Sequence, residues 1–146
     1  MSQVSINNKK ARFEYEILEK FTAGMVLLGT EIKSIRKGKA SIKEAYCALE
    51  NGELWIRNMN ISIYEEAGPN NHDPIRLRKL LLNETELKKI EKKMRDVGLT
   101  IVPLKVFLSG GWAKLEIAIA KGKKYRDKRD DIRNKDIQRQ MSREQK

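Results

Sequence analysis

The sequence predicts a mainly β protein, a small closed antiparallel barrel with flanking helices. Alternating apolar and polar residues recur in five or six strand-sized runs. Only two segments carry helical spacing, and they do not alternate with the strands as a parallel sheet requires. Closing the sheet hides the edges that so many short strands would otherwise expose.

The opening MSQVSINNKK is polar and aperiodic, so residues 1–8 are expected to form a flexible arm. In RFEYEILEKF, Phe13, Tyr15 and Ile17 alternate with Glu14 and Glu16, the pattern of a strand with one wet face. Gly24 interrupts before a second apolar stretch, MVLLG. TEIKSIRKG reads as a short helix, with Thr30 as its cap, Ile32 and Ile35 three apart, and Gly38 as its stop. Asn51-Gly52, set between two alternating runs, marks a β-hairpin whose turn needs positive φ at both residues. Gly68, Pro69 and Pro74 punctuate a loop, EEAGPNNHDP, and IRLRKLLL then sets Arg76, Arg78 and Lys79 ahead of an apolar triplet.

NETELKKIEKKMRDVG is a helix with both ends written in. Asn83 and Glu86 have capping-box spacing, Leu87, Ile90, Met94 and Val97 form an apolar stripe, and Gly98 ends it. LTIVPLKVFLSGGWAKLEIAIA supplies two strands about a Ser109-Gly110-Gly111 turn, with Pro103 expected at an edge or bulge. The chain has 146 residues, enough for one core but not for two domains.

Composition narrows the function. Cys47 is the only cysteine, so neither an internal disulfide nor a cysteine-based zinc site can form. There is no secretory apolar segment and no run near the roughly 20 residues that span a bilayer; a soluble cytoplasmic protein is expected. Lys and Arg number 31 against 20 Asp and Glu, a net charge of +11 that favours a polyanionic partner. Lys121 to Lys146 holds 11 basic and 5 acidic residues, so +6 of that excess lies in a short C-terminal stretch.

Catalytic chemistry is sparse. His72 beside Asp73 allows a general base for a small RNA-processing phosphodiesterase, against the simpler reading of a loop histidine that caps a turn or meets a phosphate. Cys47, between Tyr46 and Ala48 on a hairpin strand, fits a core position better than a nucleophile. Glu14, Glu16 and Glu19 fit a solvated strand face better than a metal site, whose ligands converge from several segments. A membrane-surface helix in the tail is disfavoured because Ile132, Ile137 and Met141 are too sparse for an apolar face.

Recognition of phosphates and bases remains. Lys9, Lys10 and Arg12 open the body, Arg76, Arg78 and Lys79 follow the loop, and Lys121, Lys123 and Lys124 leave the last strand. Joined on a barrel, these clusters form one phosphate-tracking surface, with Tyr15, Tyr64 and Trp112 as stacking planes if they are not core. From Tyr125 onward the tail has too little apolar surface to offset the cost of ordering, yet nothing in it forbids a helix. It is expected to be disordered when free and helical when RNA encloses it.

NKKARFEYEILEKFTAG, GTEIKSIRKGKA, HDPIRLRKLLLN and AKGKKYRDKR, in this order and spacing, resemble the SsrA-binding protein family, SmpB. The resemblance covers nearly the whole chain from Asn8. It implies an oligonucleotide-binding-type barrel, no catalysis and no cofactor. Its members bind the tRNA-like part of transfer-messenger RNA and accompany it, with elongation factor Tu, into stalled ribosomes; alanyl-tRNA synthetase is a partner only through the RNA.

By position the resemblance implies RNA contacts at Asn8, Lys9, Tyr15, Leu81, Asn83, Lys114, Lys121, Lys123 and Lys124. Lys10, Arg76, Arg78 and Lys79 join them from the basic clusters, and Thr22 stands where members often carry an acidic RNA-binding residue. Gly122 and the tail residues Tyr125, Arg126, Asp127, Lys128, Arg129, Arg133, Lys135 and Arg139 would follow the vacant messenger channel near the decoding site. Arg126 stands where members often have His or Tyr. The expected organisation is a monomer with an arm over 1–8, an RNA-binding barrel over 9–124 and a basic tail over 125–146.

Overall fold

The computed structural model describes residues 5–122. In chain order they form β1 (Ser5–Asn7), α1 (Lys9–Glu14), β2 (Tyr15–Met25), α2 (Gly29–Arg36), β3 (Ala40–Ser41), β4 (Tyr46–Glu50), β5 (Glu53–Arg57) and β6 (Asn60–Ile61). A 3-10 turn at Glu65–Ala67 precedes β7 (Arg78–Leu81), α3 (Glu84–Lys93), β8 (Leu99–Ser109) and β9 (Trp112–Gly122). Seven strands share one sheet in the order β1-β8-β4-β5-β7-β2-β9, and β9 also pairs with β8. β3 and β6 pair separately, and every pairing is antiparallel. The fold is therefore a mixed α/β one, a multi-stranded antiparallel sheet with flanking helices.

Two bulges decide which side chains face inward. β2 carries an extra residue between Ile17 and Glu19, and β8 one between Pro103 and Lys105. Because side chains alternate, one added residue turns every later one to the opposite face. Tyr15 and Ile17 consequently pack on the outside of the sheet, beneath α1, with Ala11, Val102, Leu104, Ala118 and Ala120. Beyond the bulge, Phe21, Ala23 and Met25 enter the main core with Leu54, Ile56, Leu80, Ile101, Leu115 and Ile117. Ile35 of α2 and Ile90 of α3 join the same core, which ties both helices to the sheet. Each such aliphatic side chain contributes roughly 1.5–3 kcal/mol on burial, so the inner cluster outweighs the smaller outer one.

The hairpin expected at Asn51-Gly52 is present, with φ of 53° and 76° and Glu50 opposite Glu53. Both turn residues adopt the left-handed conformation that a two-residue turn between twisted strands demands. Helix α3 is capped as expected, the Asn83 side chain accepting from the Glu86 amide at 2.8 Å. Pro103 sits at the β8 bulge, where its missing N–H costs no ladder bond.

Elsewhere the structure departs from expectation. Ser5–Asn7 is not a free arm but an edge strand on β8, pairing Ile6 with Val106. Residues 12–14, expected to open the strand, lie instead in α1: Asn8 caps that helix by accepting from the Ala11 amide at 3.1 Å, and the strand begins only at Tyr15. Gly24 lies within β2 instead of interrupting it. Thr30 does not cap α2; the cap residue is Leu28, whose amide donates to Glu31 at 2.8 Å. Val97 falls off the α3 stripe into solvent, because the helix ends at Lys93.

Candidate nucleic-acid interface

Paired residues of neighbouring antiparallel strands point to the same side of the sheet. On the outer face of β2, β7 and β9, Gly24 pairs with Leu81 on one side and Lys114 on the other. Lys114 in turn pairs with Phe107 of β8. The next row sets Thr22 beside Glu116, and Glu116 beside Lys105. Three residues predicted to contact RNA, Thr22, Leu81 and Lys114, thus share one continuous outer surface.

Gly24 keeps the centre of this surface low, since a side chain there would rest against Leu81. Leu81 stands 51% exposed beside it, an apolar contact already clear of the core. Glu116, the acidic residue of these rows, lies 3.7 Å from Arg12 and 3.8 Å from Lys20. Its charge is thereby offset, and the face stays cationic. Asn83 adjoins at the start of α3, exposed, with its side-chain oxygen taken by the cap.

The second group lies at the other end of β2. Tyr15 pairs with Gly122 and Glu16 with Lys121, and the Tyr15 ring passes close above Gly122. Lys9 and Lys10 are exposed at the start of α1, and Lys10 lines the same cavity as Tyr15. Along a strand of about 3.3 Å per residue, Tyr15 and Gly24 are separated by roughly 30 Å of backbone. β2 therefore carries both groups, one near each end.

Four predicted contacts have other employment. Arg78 is 0% exposed, its Nε donating to Glu31 Oε2 at 2.5 Å and its Nη1 to the Met59 carbonyl at 2.6 Å. Arg76 donates from Nη2 to Glu31 Oε1 at 2.7 Å, and Lys79 from Nζ to Glu53 at 3.2 Å. Burial pushes the Glu31 carboxyl up, but bonds from Arg76, the Leu28 amide and Arg78 outweigh it and hold that carboxyl below its usual range. Arg78 serves the interior, so it is no RNA contact. Asn8 is likewise buried, donating to the carbonyls of Ile42 and Pro103 at 3.2 and 3.0 Å, which makes it a hub between α1 and the sheet.

His72 is buried too. Its Nε2 lies 2.9 Å from the Ile61 carbonyl and its Nδ1 2.8 Å from the Thr30 hydroxyl. The carbonyl can only accept, so Nε2 carries the proton and Nδ1 accepts from Thr30. Asp73 does not orient this ring, because its Oδ1 accepts from the Ile75 amide at 3.0 Å. With both nitrogens committed inside the fold, the phosphodiesterase reading loses its base. Cys47 is a core residue whose thiol burial pushes far up, away from nucleophilic use.

Of the aromatic candidates, Trp112 is 72% exposed at the β8–β9 turn. Tyr64 has Lys33 at 5.3 Å and Lys37 at 4.9 Å from its ring centre. Lys20, Lys105 and Phe107 belong to the outer face yet escaped the sequence reading, since their facing depends on the two bulges. Lys123, Lys124 and the tail residues Tyr125 to Arg139 lie outside the described residues.

A family model for SmpB protein matches residues 5–146. The SsrA-binding protein of Cytophaga hutchinsonii is 57% identical over 144 residues, covering 98% of this chain and 94% of its own length. That of Bacteroides thetaiotaomicron is 52% identical over 141 residues, covering 96% and 94%. A solved chain described as "tmRNA-SmpB: a journey to the center of the bacterial ribosome" matches with a TM-score of 0.71 and 40% identity, over 89% of this chain and 95% of that one. Matches of this identity over almost the full length, on a fold that presents a cationic outer face, lead to one conclusion: the chain belongs to the SmpB family.

Proposed function

We propose that this chain binds the tRNA-like part of transfer-messenger RNA and brings it to stalled ribosomes for rescue, as an RNA-binding cofactor and not as an enzyme. The observation that carries this reading is membership of the SmpB family across residues 5–146. The outer row of Leu81, Gly24 and Lys114 supplies the physical means: an apolar contact, a low backbone floor and a cation, side by side. Thr22 adds a hydroxyl to the adjacent row.

RNA contacts divide between two groups. Thr22, Leu81, Asn83 and Lys114 form one, and Lys9, Lys10, Tyr15 and Lys121 form the other, continued by Lys123 and Lys124. The strand pairings run β8–β4–β5–β7–β2–β9–β8, which supports a closed oligonucleotide-binding-type barrel over 9–124 with its seam at Cys47 and Ile101. Residues 125–146 act as a separate tail that follows the messenger channel of the ribosome. Elongation factor Tu and alanyl-tRNA synthetase are indirect partners, joined through the RNA.

Affinity for the tRNA-like domain, measured against a plain RNA duplex at physiological salt, tests the reading. Tight binding to the first and weak binding to the second is expected. Equal affinities would overturn it, because an undirected cationic surface does not distinguish folded RNA from duplex.

A further inference from the structure

A cavity of about 340 Å³ opens between α1, the start of β2 and the turn that leads into β4. Thr100 and Val102 of β8 contribute to its wall, and Lys10, Glu14, Tyr15, Lys43, Glu44 and Tyr46 are among the other lining residues. Such a volume falls in the range of small-ligand pockets and accommodates one nucleotide but not a helix. We propose that this cavity receives a single unpaired nucleotide, preferably a guanine, with its base beside Tyr15 and Tyr46 and its phosphate toward Lys10 and Lys43. This rests on the RNA-binding reading above and gives it a base-reading site.

The chemistry of the lining supports the assignment. Tyr46 is 44% exposed at the start of β4, and neither tyrosine hydroxyl has a protein partner among the described residues. Two aromatic side chains at one cavity offer planes on which any unstacked base gains contact. Lys10 reaches across the opening to Glu44 at 3.3 Å, an exposed pair that an arriving phosphate can exchange at little cost. Glu14 has no ion-pair or hydrogen-bond partner among the described residues. A carboxylate accepts best from two adjacent N–H donors, and guanine alone among the four bases presents that pair, N1–H and N2–H, on its Watson–Crick edge. The Tyr15 ring also lies close to Gly122, its partner on β9.

The test uses the full chain. Tyr46→Leu and Lys43→Gln both alter exposed side chains, and thermal melting verifies that each variant folds. With the transcribed tRNA-like domain of transfer-messenger RNA, Tyr46→Leu should weaken binding about 10-fold, the scale of one lost base–aromatic stack. Lys43→Gln should weaken it less and flatten its salt dependence. In NMR titrations, GMP should shift the backbone amides of Lys43, Tyr46 and Tyr15 at lower concentration than AMP, CMP or UMP, and Glu14→Gln should abolish that preference. If the unaltered protein binds the tRNA-like domain while both folded variants bind it equally well, the nucleotide site is overturned and the proposed function stands. If the unaltered protein does not bind that RNA, the proposed function falls, and this inference with it.

Discussion

Glu31 and Arg78 are both fully buried, and they meet at 2.5 Å between Oε2 and Nε. Arg76 approaches the other carboxylate oxygen at 2.7 Å, so one carboxylate of α2 holds two guanidinium groups from the loop end and from β7. Arg78 also gathers the carbonyls of Met59 at 2.6 Å and Pro74 at 3.1 Å. The cluster ties α2, the loop from residue 62 to 77 and β7 into one unit. Because β7 delivers Leu81 and then Asn83 to the surface, this interior ion pair positions the proposed RNA contacts without touching RNA.

Glu31→Gln should therefore destabilise the fold by about 3–5 kcal/mol, because it strands a buried guanidinium. The loss should appear as a lower urea midpoint with an unchanged slope. Its pH dependence has a definite sign. The folded carboxyl is held below its ordinary value of 4.5, so its contribution is present above that pH and disappears as the pH falls through the lowered value. The stability gap between the two proteins should close in acid. A constant gap from pH 7 to pH 3 would show that the charge of Glu31 contributes nothing.

The buried histidine leads to a second expectation. His72→Leu leaves the Ile61 carbonyl and the Thr30 hydroxyl without partners, at a cost of about 1–3 kcal/mol each if water cannot reach them. Thermal melting should show that loss. Incubation with single-stranded and folded RNA should show intact substrate for the original protein and the variant alike. Cleavage by the original that His72→Leu removes would restore the enzymatic reading.

Cys47 gives a third. The thiol is 5% exposed on β4 opposite Ile56, and burial disfavours its thiolate. Ellman's reagent should find no reactive thiol in the native protein and one per chain in guanidinium. Rapid labelling under native conditions would place Cys47 in an opening segment and weaken the seam proposed between Cys47 and Ile101.

Features governed by a few adjacent residues were legible in the sequence. The Asn51-Gly52 turn, the Asn83 cap and the strands either side of Gly110-Gly111 depend on local chemistry, and local chemistry is what a sequence displays. α1 was not legible because Phe13 extends backward the alternation of Tyr15 and Ile17, which do lie in the strand; what makes 9–14 helical is Asn8, anchored to carbonyls 34 and 95 residues away. The outer face was half legible. Thr22, Leu81 and Lys114 came through resemblance, but Lys20 and Lys105 required knowing that two bulges reverse the alternation. Arg78 was misread for a related reason: its composition says surface cation, and only Glu31, 47 residues earlier, makes its burial possible.

The outer face should reveal itself through salt. Lys114 and Lys121 lie near opposite ends of β9, too far apart to grip the same phosphate. Each lysine that neutralises a phosphate adds roughly 0.7–0.9 to the slope of log affinity against log salt. Lys114→Ala and Lys121→Ala should each lower the slope for the tRNA-like domain by about that amount, and their effects should add because they share no partner. Slopes unchanged in both variants would remove these lysines from the RNA contacts.

Truncation after Lys124 separates the two jobs proposed for this chain. The outer face and the Tyr15 group both precede that point, so affinity for the tRNA-like domain should remain within a few-fold of the full chain. What is lost is Tyr125 to Lys146, which carries 8 of the 31 basic residues and, by the proposed reading, the only segment that enters the messenger channel. Peptidyl transfer to alanyl-charged transfer-messenger RNA on ribosomes stalled without a stop codon should therefore fail, while the truncated protein still competes with the full chain for the RNA. If rescue persists, the tail is not the part that occupies the channel. If binding collapses together with rescue, the tail belongs to the RNA grip and the division at Lys124 is misplaced.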